Sequence, residues 1–168
     1  MGTVVGLFNT YTDAERAVEL LDERGFDRGA LSVVAQETAV AERLNPMDGP
    51  DDPAEDAGEG AMIGGLAGLL AGVGALMIPG VGPLFVAGPL ASVIASTLAG
   101  ATAGAVTGGL LGSLTDLGIP EAEAQAYTEG IRSGGVLVSV RTDREAEARD
   151  ILRTANAVDV GETVVSTW

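Results

Sequence analysis

From Ala61 to Thr115 the chain carries no ionisable side chain, and glycine recurs there at every fourth residue. Gly60, Gly64, Gly68 and Gly72 form one row; Gly100, Gly104, Gly108 and Gly112 form another, preceded in phase by Gly88, Ser92 and Ser96. Spacing of this kind lines small residues along one ridge of a helix. Each helical glycine costs ~1 kcal/mol relative to alanine, so such a ridge persists only where the missing Cβ is put to use. Close approach of helix backbones is that use, through dispersion contacts and weak Cα–H to carbonyl bonds. Between the two rows, IPGVGPLFVAGPL supplies Pro79, Gly80, Gly82 and Pro83, which predict a chain reversal, and Pro89 suits the first turn of the helix that follows. The expectation for residues 60–117 is therefore a glycine-zipper α-helical hairpin.

The flanks read differently. TVVGLF is a strand by composition and alternation, and in TDAERAVELLDERGF the residues Ala14, Ala17, Val18 and Leu21 fall on one helical face. Thr12 is placed to cap this helix, Glu15 to complete the capping box and Gly25 to end it, before a second strand, ALSVVA. The C-terminal part repeats the order: GVLVSV as strand, TDREAEARDILRTA as helix with Ala148, Ile151, Leu152 and Ala155 inward, GETVVSTW as closing strand. The capping signature TD-x-E occurs in both halves, at Thr12–Glu15 and Thr142–Glu145, as expected of a duplicated unit. Two such units, covering one sheet face with two helices and joined by right-handed crossovers, predict an α+β fold: a ferredoxin-like βαβ…βαβ sandwich with the hairpin inserted between its halves. The expected organisation is a first half over 1–42, an acidic Pro/Gly-rich linker over 43–59, the hairpin over 60–117, and a helix plus the second half over 118–168. In the last of these, Pro120 starts a helix, Glu121 and Glu123 favour its N-terminus, Gly134 and Gly135 stop it, and Ala124, Tyr127 and Ile131 share a buried face.

Charge and missing residue types narrow the chemistry. The chain has a net charge of −15, with Arg as its only basic residue, which opposes nucleic acid and anionic surfaces. There is no Cys and no His, so thiolate and imidazole chemistry are excluded, and serines such as Ser92, Ser96 and Ser113 lack a His or Lys base. A phosphate loop needs Lys, and Gly72-Val73-Gly74 lacks the third glycine of a dinucleotide fingerprint. Asp48, Asp51, Asp52, Glu55 and Asp56 do not follow the alternate spacing of a calcium loop and read as a solvated run. Glu121 and Glu123, two apart on a helix, do not face each other. No catalytic residue, metal site, cofactor or small-molecule substrate is expected, and the chain is read as not an enzyme.

VVGLFNTYTDAERAVELLDERGF, IPGVGPLFVAGPL and LGIPEAEAQAYTEGIRSGGVLVSV together resemble the heat-induced or general stress proteins of the YflT-like kind, a domain of unknown function with a glycine-rich centre. The resemblance covers nearly the whole chain, and its most specific block runs from Gly118 to Gly135. It implies a stress-linked, non-enzymatic protein. A helix apolar all round needs neighbours on every side, so the hairpin is expected to form a homo-oligomer. Two settings satisfy it. Ala61 to Ile78 approaches the ~20 residues that span a bilayer, which would hold a cytoplasmic sheet domain at the inner face of the cell membrane. The acidic flanks, the missing aromatic belt and the dry tip at Leu84, Phe85 and Val86 instead suit a water-soluble oligomer or shell with hairpins at the subunit contacts. The N-terminus lacks the basic start and apolar core of a secretory signal.

Overall fold

The structure is a computed structural model and describes residues 2–43, 75–78, 82–100, 109–116 and 118–163. Its framework is a sheet of six strands: β1 (Gly2–Phe8), β2 (Leu31–Gln36), β3 (Ala75–Ile78), β4 (Gly82–Ala87), β5 (Val136–Thr142) and β6 (Asp159–Thr163). The spatial order is β3-β4-β2-β5-β1-β6, and every neighbouring pair is antiparallel. The helices are α1 (Tyr11–Glu23), α2 (Glu37–Arg43), α3 (Pro89–Gly100), α4 (Gly109–Asp116), α5 (Glu121–Arg132) and α6 (Glu145–Thr154).

Both faces of this sheet are dry, and each has its own core. On one face Val4 and Phe8 of β1, Leu31 and Val33 of β2, and Val136, Val138 and Val140 of β5 lie under α1 and α6, which contribute Ala14, Val18, Leu21, Ile151 and Leu152. On the other, Val5, Leu7, Val34, Leu84, Val86 and Leu137 meet Leu90 and Ile94 of α3, Leu110 and Leu114 of α4, and Ala124, Tyr127 and Ile131 of α5. Side chains alternate across a strand, so a strand buried along its whole length must be covered twice. The protein is thus mixed α and β in three layers, helices lying on both sides of the sheet. The reading from sequence covered one face only.

The central stretch is where structure and expectation part. The described residues on either side of 79–81 pair as strands in place of the expected helices: Ile78 pairs with Gly82, Met77 with Pro83, Leu76 with Leu84 and Ala75 with Phe85. Leu84-Phe85-Val86-Ala87 is a period-two pattern, with Leu84 and Val86 in one core and Phe85 and Ala87 at the other. The LFV segment, expected at an oily tip, is therefore an inner strand. Pro83 lies outside the β2 ladder, which runs from Gln36↔Leu84 to Val33↔Ala87, so its missing N–H breaks no bond there. The acidic run, 44–59 of the expected linker, lies outside the described residues, and its first position, Arg43, ends α2.

Helix starts also differ from expectation. Thr10, not Thr12, caps α1: its hydroxyl accepts from the Asp13 amide at 3.2 Å and donates to the Asp13 carboxylate at 2.8 Å. Beginning there adds Tyr11 to the buried stripe of Ala14, Val18 and Leu21. In the C-terminal half, Thr142 ends β5 and accepts from the Arg144 amide at 3.0 Å, and α6 begins only at Glu145. The two TD-x-E runs occupy different positions in their units, so their likeness is not structural equivalence. Gly88, the first member of the second small-residue row, sits just before α3 with φ 82, and a Cβ there would strike the Leu31 carbonyl. Only glycine lets the start of α3 press onto β2.

Since Ile94 and Leu114 are fully buried beneath the sheet, Ile94→Ala and Leu114→Ala are each expected to cost about 2–5 kcal/mol in urea denaturation. The exposed Ser92→Ala should stay within about 0.5 kcal/mol. Costs below about 1 kcal/mol for both core changes would show that the uncharged middle does not fold onto the sheet.

Candidate functional site

The residues singled out for helix packing are distributed as follows. Gly60, Gly64, Gly68 and Gly72 lie outside the described residues, as do Gly104, Gly108, Pro79 and Gly80. Gly100 is the last residue of α3 and Gly112 lies within α4, while Gly82 and Pro83 belong to β4. The structure therefore locates part of one row, and the other row lies outside the described residues.

For the located part, the direction of the row is defined by its neighbours. Leu90 and Ile94 turn α3 onto the sheet. Ser92 stands two residues, about 200°, around the helix from both, on the far side. It is exposed, and its hydroxyl donates to the Pro89 carbonyl of its own helix at 2.8 Å. In α4 the same relation holds: Leu110 and Leu114 are buried against the sheet, and half-buried Gly112 lies two residues from each. Leu90, Ile94, Leu110 and Leu114 thus face inward, and Ser92 and Gly112 lie on the outer side of α3 and α4. Among the described residues the only large exposed hydrophobic side chain is Val158, which lies elsewhere. Such a face is smooth rather than greasy and admits another backbone closely.

The expected α5 block is formed as read: Pro120 occupies the N-cap, Glu121 and Glu123 lie in the first turn, and Ala124, Tyr127 and Ile131 are buried. Tyr127 is fully enclosed, and its hydroxyl lies against Gly161 of β6, with the Glu123 carboxylate reaching the same place. The oxygen has no hydrogen-bond partner of ordinary geometry, although the Gly161 backbone comes near enough to favour the anion in part. Burial pushes this hydroxyl well above the usual tyrosine range, and the negative charges of Asp159 and then Glu123 push it further. A phenol so placed stays protonated and serves as core, not as an acid–base group.

Elsewhere the polar chemistry is that of an ordinary surface. Arg28 pairs with Asp22 at 2.8 Å and Arg144 with Glu147 at 2.7 Å, both exposed. The hydrogen bond from Arg28 holds the Asp22 carboxyl below its usual range. Arg144 also stacks on the Phe26 ring at 4.4 Å and donates to the Arg24 carbonyl, tying the start of α6 to the end of α1. Among the described residues no group of three or more His, Cys, Asp or Glu could hold a metal ion. No helix among them is long and apolar enough to cross a membrane.

These features define a three-layer protein of mixed α and β structure. Residues 3–77 match the family model of the Heat induced stress protein YflT domain, which supports the stress-protein resemblance read from the sequence. The match takes in β1, α1, β2 and α2 and ends within β3; the Gly118 to Gly135 block lies beyond it. No curated protein and no solved structure matches the chain.

Because the folded state holds the Tyr127 proton above the value of about 10 for a free tyrosine, unfolding releases it over that range. Stability should then be unaffected by this group below pH of about 10 and fall above it, by up to about 1.4 kcal/mol per pH unit. Tyr127→Phe is expected to make the alkaline decline shallower in urea titrations taken on either side of that pH. Parallel declines in the two proteins would contradict the placement of the hydroxyl.

Proposed function

We propose that the protein is a non-enzymatic, stress-associated structural protein that self-assembles through the small-residue face of its central helices. The observation that carries this reading is the orientation of α3 and α4, whose Leu90, Ile94, Leu110 and Leu114 are buried against the sheet while Ser92 and Gly112 lie on the opposite side. A second copy can approach such a face to backbone distance, which neither bulky nor charged side chains would permit. The family match over residues 3–77 supports the link to stress. In the same reading, β6-β1-β5-β2 with α1 and α6 form a ferredoxin-like sandwich, and β3, β4 and α3 to α5 form the insertion that covers its other face.

Of the two settings, the structure favours the water-soluble homo-oligomer over the bilayer. α3 has 12 residues and α4 has 8. At ~1.5 Å per residue neither approaches the ~30 Å of a hydrocarbon core, and Leu90, Ile94, Leu110 and Leu114 are turned to the sheet. The negative net charge keeps the remaining surface hydrated and repels anionic headgroups.

Light scattering coupled to size exclusion tests this on the full chain. The expected mass is a multiple of the 16.8 kDa protomer and is the same with and without detergent. Gly112→Leu, which places a bulky side chain on the outer face, should lower that mass while the circular dichroism of the sheet persists. A wild-type protein of single-chain mass overturns self-assembly, and solubility only in detergent restores the membrane setting.

A further inference from the structure

Where α3 begins, it meets the polar end of the sheet face that it covers. Going outward along that face, Leu137 of β5 is followed by Ser139 and Arg141, and Leu7 and Val5 of β1 by Thr3. Register places Ser139 opposite both Val5 and Ser32, and Thr3 opposite Arg141. Thr3, Ser32, Ser139 and Arg141 line a small cleft there, closed above by Pro89, Leu90 and Val93 of α3. Apolar side chains would fill this place in an ordinary core. Here it is lined by hydroxyl groups and one guanidinium.

We infer that this cleft is a binding site for a small oxyanion, a phosphate or a carboxylate. The guanidinium that lines it and the helix end above it are both positive. Arg141 is the single charged residue among those lining it, and it makes no ion pair or side-chain hydrogen bond with another described residue although the chain carries a large excess of acid. The N-terminus of α3, a helix of 12 residues, points its positive end at the cleft. Ser32 Oγ accepts from the Leu90 amide at 3.1 Å, so its own proton is free to turn toward the cleft.

Ser139 supplies the second, independent indication. It is 5 % exposed and lines the cleft, and its hydroxyl makes no hydrogen bond to another described residue. The hydroxyl is therefore available to donate to an acceptor that enters the cleft. The space admits about one oxygen-sized atom. One oxygen of the anion would therefore lie between Ser32 and Ser139, with the rest held at the mouth by the Arg141 fork. This geometry suits a compact tetrahedral or planar oxyanion and excludes larger apolar ligands.

Thermal unfolding of the full chain tests the site, with inorganic phosphate and acetate titrated against sodium chloride at constant ionic strength. The expected result is a saturable rise of the midpoint by about 3 °C once the anion exceeds its dissociation constant roughly tenfold; the larger of the two rises tells phosphate from carboxylate. Arg141→Gln, at an exposed position, should weaken apparent affinity about tenfold and Ser139→Ala less, because charged hydrogen bonds contribute more than neutral ones. Arg141→Lys should fall between wild type and Arg141→Gln. A midpoint that rises without saturating, or rises equally in Arg141→Gln, shows general salting and overturns the site. So does the absence of any rise with either anion.

Discussion

An antiparallel sheet that buries both faces dictates most of this molecule. β1 is buried along all seven of its residues, and β5 is buried at all but Arg141. A strand of that kind cannot rest against water on either side. Two helices, α1 and α6, cover one side, and the chain must recruit a second layer for the other. It does so from its uncharged middle and from α5. The absence of ionisable groups between Ala61 and Thr115 is then, for the described α3 and α4, a requirement of the sheet as much as of any partner.

Much of this was legible from residue order. The strands at TVVGLF, ALSVVA and GVLVSV, the inward faces of α1, α5 and α6, and the stop near Gly134 follow from period-two and period-3.6 patterns that packing reinforces. The middle was not, because glycine every fourth residue has more than one physical cause. At Gly88 the cause is a left-handed backbone pressed against the Leu31 carbonyl; at Gly112 it is a place on an outer helix face. The period alone cannot tell them apart. Two prolines and several glycines around LFV hid a short strand whose alternation spans only four residues. The signal for the second helical layer was available in the unbroken apolar runs of the strands, which mark coverage on both faces. The Thr10 cap competed with an equally good motif two residues on, and the burial of Tyr11 decided between them.

The outer face of α3 and α4 and the cleft beneath the start of α3 are two products of one docking event. Pressing the helix onto β2 directs Leu90 and Ile94 inward and leaves Ser92 outside. The same approach sets the Leu90 amide on Ser32 and brings a positive helix end over hydroxyls that would otherwise have faced solvent. Assembly and anion recognition, if a protein of this kind uses both, would share a single mechanical element.

Strand order has a further consequence for how the chain can be divided. Among the described strands, β1 has only β5 and β6 as neighbours, β2 only β4 and β5, and β3 only β4. The family match over residues 3–77 thus includes three strands of which no two are adjacent. A fragment ending there would hold none of the ladders among the described strands. During synthesis β1 waits for a partner encoded more than a hundred residues downstream, so this sheet closes late, and the unit of inheritance suggested by sequence is smaller than the unit that can fold.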